Sequence, residues 1–254
     1  MSRELVFFST FSSILVLFLV IPLVICLVVG GPHIVEIASD LEALDAMRLS
    51  FYAGVTSSLL ITSFGTPLAY LLSRKKGMLA NIVESFLEIP LALPHSVAGI
   101  MVLLAYNSRA PLGLLLSNLG IIIEDSYWGI VFAMAFVSSP IFITAMRAGF
   151  DSVDIELENV ARSLGASEIE TFFKISLPLA FRHLVAGFIL SLARAISEVG
   201  AVMIVAYYPK VVATLIIERF LGYGLRAVLA LSTVLALVSL TVFAILRFLL
   251  KGGE

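Results

Sequence analysis

The sequence predicts an all-α polytopic membrane protein with six transmembrane helices. Of its 254 residues, 60% are hydrophobic and only 13% are charged, and the mean hydropathy is +1.09. Since a soluble domain carries about 25% charged residues, this composition excludes a water-soluble enzyme. A net charge of −2 also excludes a nucleic-acid binder, which would show a basic stripe. The third observation is a series of apolar stretches, each long enough to cross a bilayer.

A membrane-spanning helix needs about 20 mostly apolar residues. The first apolar stretch is longer than the core of a secretory signal and has no small-residue cleavage site, so we interpret it as a retained span. In the third stretch the crossing is predicted to begin around Pro90, with a kink near Pro90 and Pro94, because each proline removes a backbone donor. The six predicted spans, within a single domain 1–254, are 5–29, 49–72, 82–106, 127–147, 179–207 and 225–250.

The distribution of basic residues predicts the orientation of the chain. Outside the spans, Lys and Arg are twice as numerous on the side of the N-terminus, where Arg74, Lys75 and Lys76 form a cluster. Because cytoplasmic segments carry the excess of Lys and Arg, both termini are predicted to be cytoplasmic. The expected location is the plasma or inner membrane, with the lipid bilayer as solvent.

The connection between spans four and five, residues 148–178, is predicted to contain a short helix, a glycine turn and a second short helix. Leu157, Val160, Ala161 and Leu164 recur at helical spacing and form one apolar stripe. The first helix is expected to end at Gly165 in a left-handed conformation. Ser167 and Glu170 have the spacing of a capping box that opens the second helix, which Pro178 stops. The stripe requires a partner, either the protein's own helix bundle or another protein, and the pattern leaves both open.

The same connection resembles the cytoplasmic loop of ABC-importer permeases, whose pattern is E-A-A-x-x-x-G-x9-I-x-L-P. The fixed positions of that pattern correspond here to Gly165, Ile175, Leu177 and Pro178. The resemblance also includes Ala161, Arg162, Ser163, Leu164, Ala166 and Ser167. The sequence departs from the pattern at Asn159 and Val160, where the family usually has Glu and Ala, and Glu158 is the candidate for the missing acid.

This resemblance implies that the first helix of the loop is a coupling helix, seated in a cleft of a cytoplasmic ATPase. The chain lacks the G-x-x-x-x-G-K-[ST] phosphate loop, so ATP and Mg are expected on two partner ATPase subunits and no cofactor on this chain. We therefore expect a permease subunit rather than an enzyme, with no catalytic residue. No metal site is predicted, since His33, His95 and His183 lack metal-ligand spacing.

The resemblance further implies that an extracytoplasmic binding protein delivers the solute and that a second copy of the chain completes the pathway. A heterodimer with a sister permease is the alternative. The acidic residues of the outer segments are candidates for docking the binding protein, or they only solvate the loops. These residues are Glu36, Asp40, Glu42, Asp45, Glu124 and Asp125.

Two further stretches, Glu88–Gly99 and Ser197–Val202, resemble the oxyanion branch of these permeases. Within that branch Pro94–Gly99, Ser197–Ala201 and Ala206–Pro209 are most similar to molybdate and tungstate permeases. The implied function is import of molybdate or tungstate delivered by a molybdate/tungstate-binding protein. The alternatives are a sulfate or thiosulfate permease, an ion-coupled secondary transporter and a subunit that transports nothing.

Ionisable and kink-forming residues within the spans are candidates for the translocation path or its gate. Arg194 and Glu198 are spaced i, i+4 and can pair on one helix face, either to lock two segments together or beside the path. His95 is either a satisfied core histidine or a residue that lines the path. No cluster of Arg and Lys able to hold a divalent oxyanion inside the membrane is visible. The full candidate set is Glu88, Pro90, Pro94, His95, Ser96, Arg194, Ser197 and Glu198. In the secondary-transporter alternative, Glu88, Arg194 and Glu198 would form a proton relay.

Overall fold

The computed structural model describes residues 3–251, with side chains from 8 to 248, and no β-strand occurs within that range. Its α-helices are α1 (Arg3–Gly30), α2 (Leu41–Arg74), α3 (Met78–Ala92), α4 (His95–Tyr106), α5 (Pro111–Asn118), α6 (Tyr127–Asp151), α7 (Ile155–Ser163), α8 (Glu168–Thr171), α9 (Leu177–Leu179), α10 (Phe181–Ile196), α11 (Gly200–Val205), α12 (Val212–Tyr223) and α13 (Leu229–Lys251). Short 3-10 helices cover Gly31–Ser39 and Leu225–Val228, and a π-helical turn covers Phe172–Ser176. The all-α prediction is therefore confirmed.

Four helical segments of the described chain are long and apolar enough to cross a membrane, namely Phe8–Ser39, Leu41–Arg74, Tyr127–Asp151 and Leu225–Phe248. Two bent pairs raise the number to six if each counts as one span. One pair is α4 with α5, bent by 70°. The other joins Glu168–Leu179 to Phe181–Ile196 at 72°.

Two of the predicted spans are interrupted. The third, 82–106, continues as helix through Pro90 to Ala92 and breaks at Leu93, so the break lies at Pro94 and not at Pro90. Leu93 is extended, as expected for a residue whose helical conformation clashes with a following proline. The fifth, 179–207, is interrupted at residues 197–199 between α10 and α11. The apolar pattern does not predict this second break, because no proline lies within 179–207.

The chain forms two compact units. The first contains the residues up to Asp45 together with Leu215–Thr241. Within it the Arg219 guanidinium donates to both carboxylate oxygens of Asp40 and to Glu42 (2.9 Å). Asp40 also accepts from the Ala43 amide (3.0 Å) and so caps the first turn of α2. The hydrogen bond from Arg219 lowers the pKa of Asp40. Asp40 and Glu42, two candidates for docking a partner, therefore already have an internal cation.

The second unit contains Ala46–Thr214 and the residues from Val242 onward. Its centre is α6, which packs against α10, α3, α4 and α11. Ile130, Met134 and Val137 of α6 are almost completely buried, whereas most apolar side chains of α1 are exposed, as a lipid-facing helix requires. A second cluster around Phe142 and Phe150 lies towards the end of α6 that leads into the loop 148–178.

Candidate functional site

The loop 148–178 has the helix–turn–helix form that its sequence predicts. Asp154 caps the start of helix α7, and its carboxylate accepts from the Glu156 amide (2.9 Å). Gly165 follows the helix with φ +95°, the left-handed conformation expected at a C-terminal cap. The capping box that opens α8 is also present, with Ser167 and Glu170 bonding each other's backbone N–H groups.

Glu158 is the buried residue of α7, and its carboxylate holds the loop to the membrane helices. Arg74, at the end of α2, donates from Nη2 (2.7 Å) and Nε (3.1 Å). Ser176 of the π-helical turn donates its hydroxyl at 2.7 Å, and Tyr70 of α2 at 3.2 Å. Burial alone raises the pKa of Glu158, but the bonds from Arg74 and Ser176 outweigh it, so its pKa lies below the ordinary value. We call these four residues the Glu158 network.

Arg74 extends the network to the end of α6. Its Nη1 donates to the Phe150 carbonyl at 2.9 Å and to the Ser73 hydroxyl at 2.7 Å. The rings of Tyr70, Phe150 and Phe172 contact one another, with centroids 5.0–5.9 Å apart. The side chains of Arg74 and Glu158 beside this aromatic cluster are only 14% and 2% exposed, and low exposure strengthens their electrostatic attraction. Helices α2, α6 and α7 are thus fastened together at one point.

The apolar stripe of α7 faces away from the Glu158 network. Leu157, Val160 and Leu164 are 48%, 58% and 85% exposed. Only Ala161 is half-buried. Of the two alternatives for this stripe, coverage by the protein's own helix bundle is not observed in the part of the chain that the structure describes.

The other predicted loop residues differ in their contacts and exposure. Arg162 donates to the Asn159 side chain at 2.7 Å, and Ser163 donates to the Asn159 carbonyl at 2.9 Å. Ile175 and Leu177 are half-buried. Ala166 is half-buried and Pro178 is exposed. Asn159, which stands where the family pattern has Glu, is exposed. The neighbouring acid, Glu158, is buried.

The structure brings three candidate path residues together. Glu198 Oε2 lies 2.8 Å from Nη2 of Arg194 and 2.8 Å from Nδ1 of His95. Arg194 Nη2 is also within 2.8 and 3.1 Å of the two imidazole nitrogens. The other oxygen of Glu198 accepts from the Ala201 amide at 2.8 Å. Ser197 lies beside the cluster, with its hydroxyl 3.5 Å from Arg194 Nη1, and Ser96 follows His95 at the start of α4.

Close backbone packing makes this cluster possible. A Cβ on Gly200 would lie 2.7 Å from Cβ of His95, and one on Gly99 would lie 2.7 Å from the Ala201 carbonyl oxygen. Helices α4 and α11 therefore approach more closely than any side chain at these glycines would allow. Both breaks in the predicted spans, before α4 and before α11, lie at this point.

The remaining path candidates lie elsewhere. Glu88 is exposed on α3 and borders a small pocket of about 90 Å³ beside the Glu84–Arg147 ion pair (2.7 Å). Pro90 is buried within α3, and Pro94 is the residue before α4. Neither Arg194 nor Glu198 lines the pocket that Glu88 borders. Within the described residues, no three His, Cys, Asp or Glu side chains come together to hold a metal ion.

The sequence does not predict the partners of Glu158, nor that His95 joins the predicted pair of Arg194 and Glu198. Arg74 contributes only to the orientation argument, and Tyr70 and Ser176 have no role in it. A buried acid in the loop requires a cation, and Arg74 is one of the few arginines at the end of a span. His95 carries no comparable signal, because it is 99 residues from Arg194.

Comparison with known proteins shows the family. The family described as binding-protein-dependent transport system inner membrane component matches residues 65–252. The chain belongs to this family. A molybdate/tungstate transport system permease protein of Pyrococcus abyssi is 39% identical to this permease over 97% of the chain and 96% of the relative. A sulfate transport system permease protein of Synechocystis is 29% identical over 100% of the chain and 95% of that relative.

The fold of the permease is also that of a solved ABC transporter. A bacterial ABC transporter involved in the import of the acidic polysaccharide alginate has a TM-score of 0.72, with 99% of this chain and 96% of that chain covered. The sequence identity is 15%, so this similarity concerns the fold alone. The permease is thus a multi-pass membrane protein of the ABC importer type.

Proposed function

We propose that this permease is the membrane-spanning subunit of an ATP-driven importer of molybdate or tungstate. The observation that carries the proposal is similarity over nearly the whole chain, which is higher to a molybdate/tungstate permease than to a sulfate permease at equal coverage. Sulfate or thiosulfate is the alternative substrate, because all four anions are divalent and their central atoms are bonded tetrahedrally.

The importer we propose contains two copies of this chain, two cytoplasmic ATPase subunits and an extracytoplasmic molybdate/tungstate-binding protein. One copy offers one coupling helix, whereas an ATPase pair requires two, so a second copy or a sister permease must complete the assembly. ATP and Mg bind to the ATPase subunits, and this chain holds no cofactor and is not an enzyme. Both termini are cytoplasmic in the plasma or inner membrane, and nucleic acid is not a partner.

In this proposal α7 is the coupling helix. Its exposed apolar stripe, led by Leu164, supports docking into a cleft of the ATPase. The Glu158 network supports transmission, because it joins α7 rigidly to α2 and α6. When ATP draws the two ATPase subunits together, each carries a coupling helix with it, and the spans rock between inward-open and outward-open states.

We assign the translocation path to the point where α4 meets α10 and α11. His95, Ser96, Arg194, Ser197 and Glu198 lie there. The break at Pro94 is the proposed gate, with Pro90 and Glu88 on the helix that leads to it. A proton relay through Glu88, Arg194 and Glu198 has less support, because Glu88 lies apart from the other two.

The proposal is tested by ATP hydrolysis in proteoliposomes that contain the permease and its ATPase. The binding protein is added without ligand or loaded with molybdate, tungstate or sulfate. We expect stimulation by molybdate or tungstate and none by sulfate. Stimulation by sulfate alone would show that the permease imports the alternative substrate. Uptake driven by a proton gradient without any ATPase would contradict the proposal of an ATP-driven importer.

A further inference from the structure

A pair of nitrogen-rich side chains lies at the junction of α4 and α10. The His95 imidazole and the Arg194 guanidinium are in contact, and their side chains are 46% and 23% exposed. Beneath them the Glu198 side chain is only 1% exposed. The two donor groups are therefore accessible, and the acid that holds them is not.

Glu198 uses both of its oxygens inside the protein. Oε1 accepts from the Ala201 amide, and Oε2 accepts from Arg194 and from Nδ1 of His95, which must carry the proton because an ionised carboxylate only accepts. Arg194 has five N–H donors, and the contacts to Glu198 and His95 involve only its Nη2 nitrogen. The acid thus fixes the orientation of both side chains and leaves donor capacity on the accessible side.

The surroundings supply further donors. Ser197 follows the last turn of α10, and Ser96 belongs to the first turn of α4, and both are exposed. Arg194 is the fourteenth residue of the 16-residue helix α10, which places it about 20 Å along the helix from Phe181. In the proposed topology Phe181 lies near the cytoplasmic face, so Arg194 lies inside a hydrocarbon layer about 30 Å thick. A charged group at such a depth is expensive to maintain and marks a solute pathway where it is accessible.

From this geometry we propose that the pair of His95 and Arg194, held by Glu198, is a contact site for a tetrahedral divalent oxyanion within the membrane. This inference rests on the proposed function and adds the residues that meet the anion. The free guanidinium N–H groups of Arg194 form charge-assisted hydrogen bonds with such an anion, and the serine hydroxyls add neutral ones. His95 gives its Nδ1 proton to Glu198 and accepts from Arg194 at Nε2 (3.1 Å), so it orients the guanidinium. Because Glu198 offsets one positive charge, the site holds the anion weakly enough to release it.

The alternative is that Arg194 and Glu198 form a purely structural ion pair. A double substitution distinguishes this alternative from a contact with the anion. Arg194→Gln alone leaves the buried Glu198 without its cation, so it tests folding as much as binding. Arg194→Gln with Glu198→Gln removes both charges and keeps hydrogen-bonding side chains. If the pair only locks segments together, the double variant imports like the wild type, and the inference is overturned.

If the pair contacts the anion, the double variant inserts and assembles but imports tungstate about tenfold more slowly or worse, as expected when a charge-assisted bond is lost. Import is measured in proteoliposomes with the complete transporter and the loaded binding protein. The matched control is Arg147→Gln with Glu84→Gln, which removes another Arg–Glu pair of the same unit (2.7 Å) and should leave import within about twofold of the wild type.

A second experiment measures the contact without import, so that its failure is distinct from failure of the proposed function. Cys26, the single cysteine of the sequence, is replaced by alanine, and Ser96→Cys is introduced beside the pair. The rate at which a small anionic methanethiosulfonate modifies this thiol in the assembled transporter is compared with tungstate, sulfate or chloride present. We expect tungstate and sulfate to slow modification in a saturable manner and chloride to have no effect.

Protection of Ser96→Cys should disappear when Arg194→Gln and Glu198→Gln are added, and Ser117→Cys on α5 should never be protected. Protection by tungstate in a transporter that fails to import would keep this inference and contradict the proposed function. Import by a transporter without any protection of Ser96→Cys would overturn this inference alone.

Discussion

The attachment of the coupling loop to the membrane helices depends on the carboxylate of Glu158. It is buried, and its cation, Arg74, is 84 residues away. We expect Arg74→Gln to destabilise the loop by about 3–5 kcal/mol, because an unpaired charge then remains buried. The rate of limited proteolysis within residues 148–178, together with the melting temperature in detergent, measures the loss.

Two variants of the same region control this experiment. Arg162 is an exposed arginine of α7, so Arg162→Gln should change neither quantity. Arg74→Gln combined with Glu158→Gln should be milder than Arg74→Gln alone, since no buried charge is left. A single Arg74→Gln variant as stable as the wild type would show that Glu158 does not depend on this cation.

At the residue scale, features set by near neighbours in sequence could be predicted and long-range ones could not. The left-handed Gly165 and the bond between Ser167 and Glu170 depend on residues at most three positions apart. The contacts of Glu158 with Arg74 and of Glu198 with His95 depend on which helices are adjacent, and residue spacing carries no such information. The i, i+4 pair of Arg194 and Glu198 was predicted, but His95, which completes it, was not placed beside them.

Helix α7 presents an apolar surface that the described part of the helix bundle does not cover, and Leu164, which follows the helix, is 85% exposed. We expect Leu164→Glu to leave insertion and melting temperature unchanged, because an exposed side chain makes few contacts to lose. The same variant should lose binding of the ATPase and hence ATP-driven uptake. Co-purification of the ATPase measures this, and normal co-purification would contradict the proposed docking surface. Asn81→Glu, at an exposed position of α3 outside the loop, controls for added charge.

The second loop helix, α8, depends on a carboxylate that responds to acid. Hydrogen bonds from the Ser167 backbone and from Lys174 lower the pKa of Glu170 from 4.5 to about 2. Because the folded pKa is the lower one, the cap contributes fully above the ordinary value and is lost as pH falls from about 4.5 towards 2. We expect hydrogen exchange at residues 167–174, corrected for intrinsic rates, to accelerate over that interval. Glu170→Gln should remove the pH dependence, and a flat profile in the wild type would contradict the assignment.

At the scale of helices, the apolar stretches were predictable and their interruptions only in part. Proline explains the break at Pro94, because Leu93 before it is extended. At the break between α10 and α11, Glu198 accepts from the Ala201 amide at the start of α11 while bonding Arg194 and the distant His95. An uninterrupted helix over 179–207 would not present this carboxylate to the Ala201 amide in the same way.

For the molecule as a whole, the orientation in the membrane stays a prediction and is open to direct test. In a chain with Cys26→Ala, we expect Arg109→Cys to react with an impermeant maleimide in intact cells and Lys76→Cys to react only after permeabilisation. The reason is that cytoplasmic segments carry the excess of basic residues. Both side chains are exposed, so accessibility within the protein does not limit labelling. The reverse pattern would invert the orientation and place α7 on the wrong side for an ATPase.

The π-helical turn Phe172–Ser176 has a consequence for how the chain tolerates insertions and deletions. A π turn contains one residue more than the α-helical turn it replaces, and each residue of an α-helix advances the next by about 100°. Deleting one residue from this turn would restore α-helical geometry and swing Ser176 away from Glu158, to which it now donates at 2.7 Å. A single-residue deletion in this segment should therefore loosen the loop even if every remaining side chain is kept.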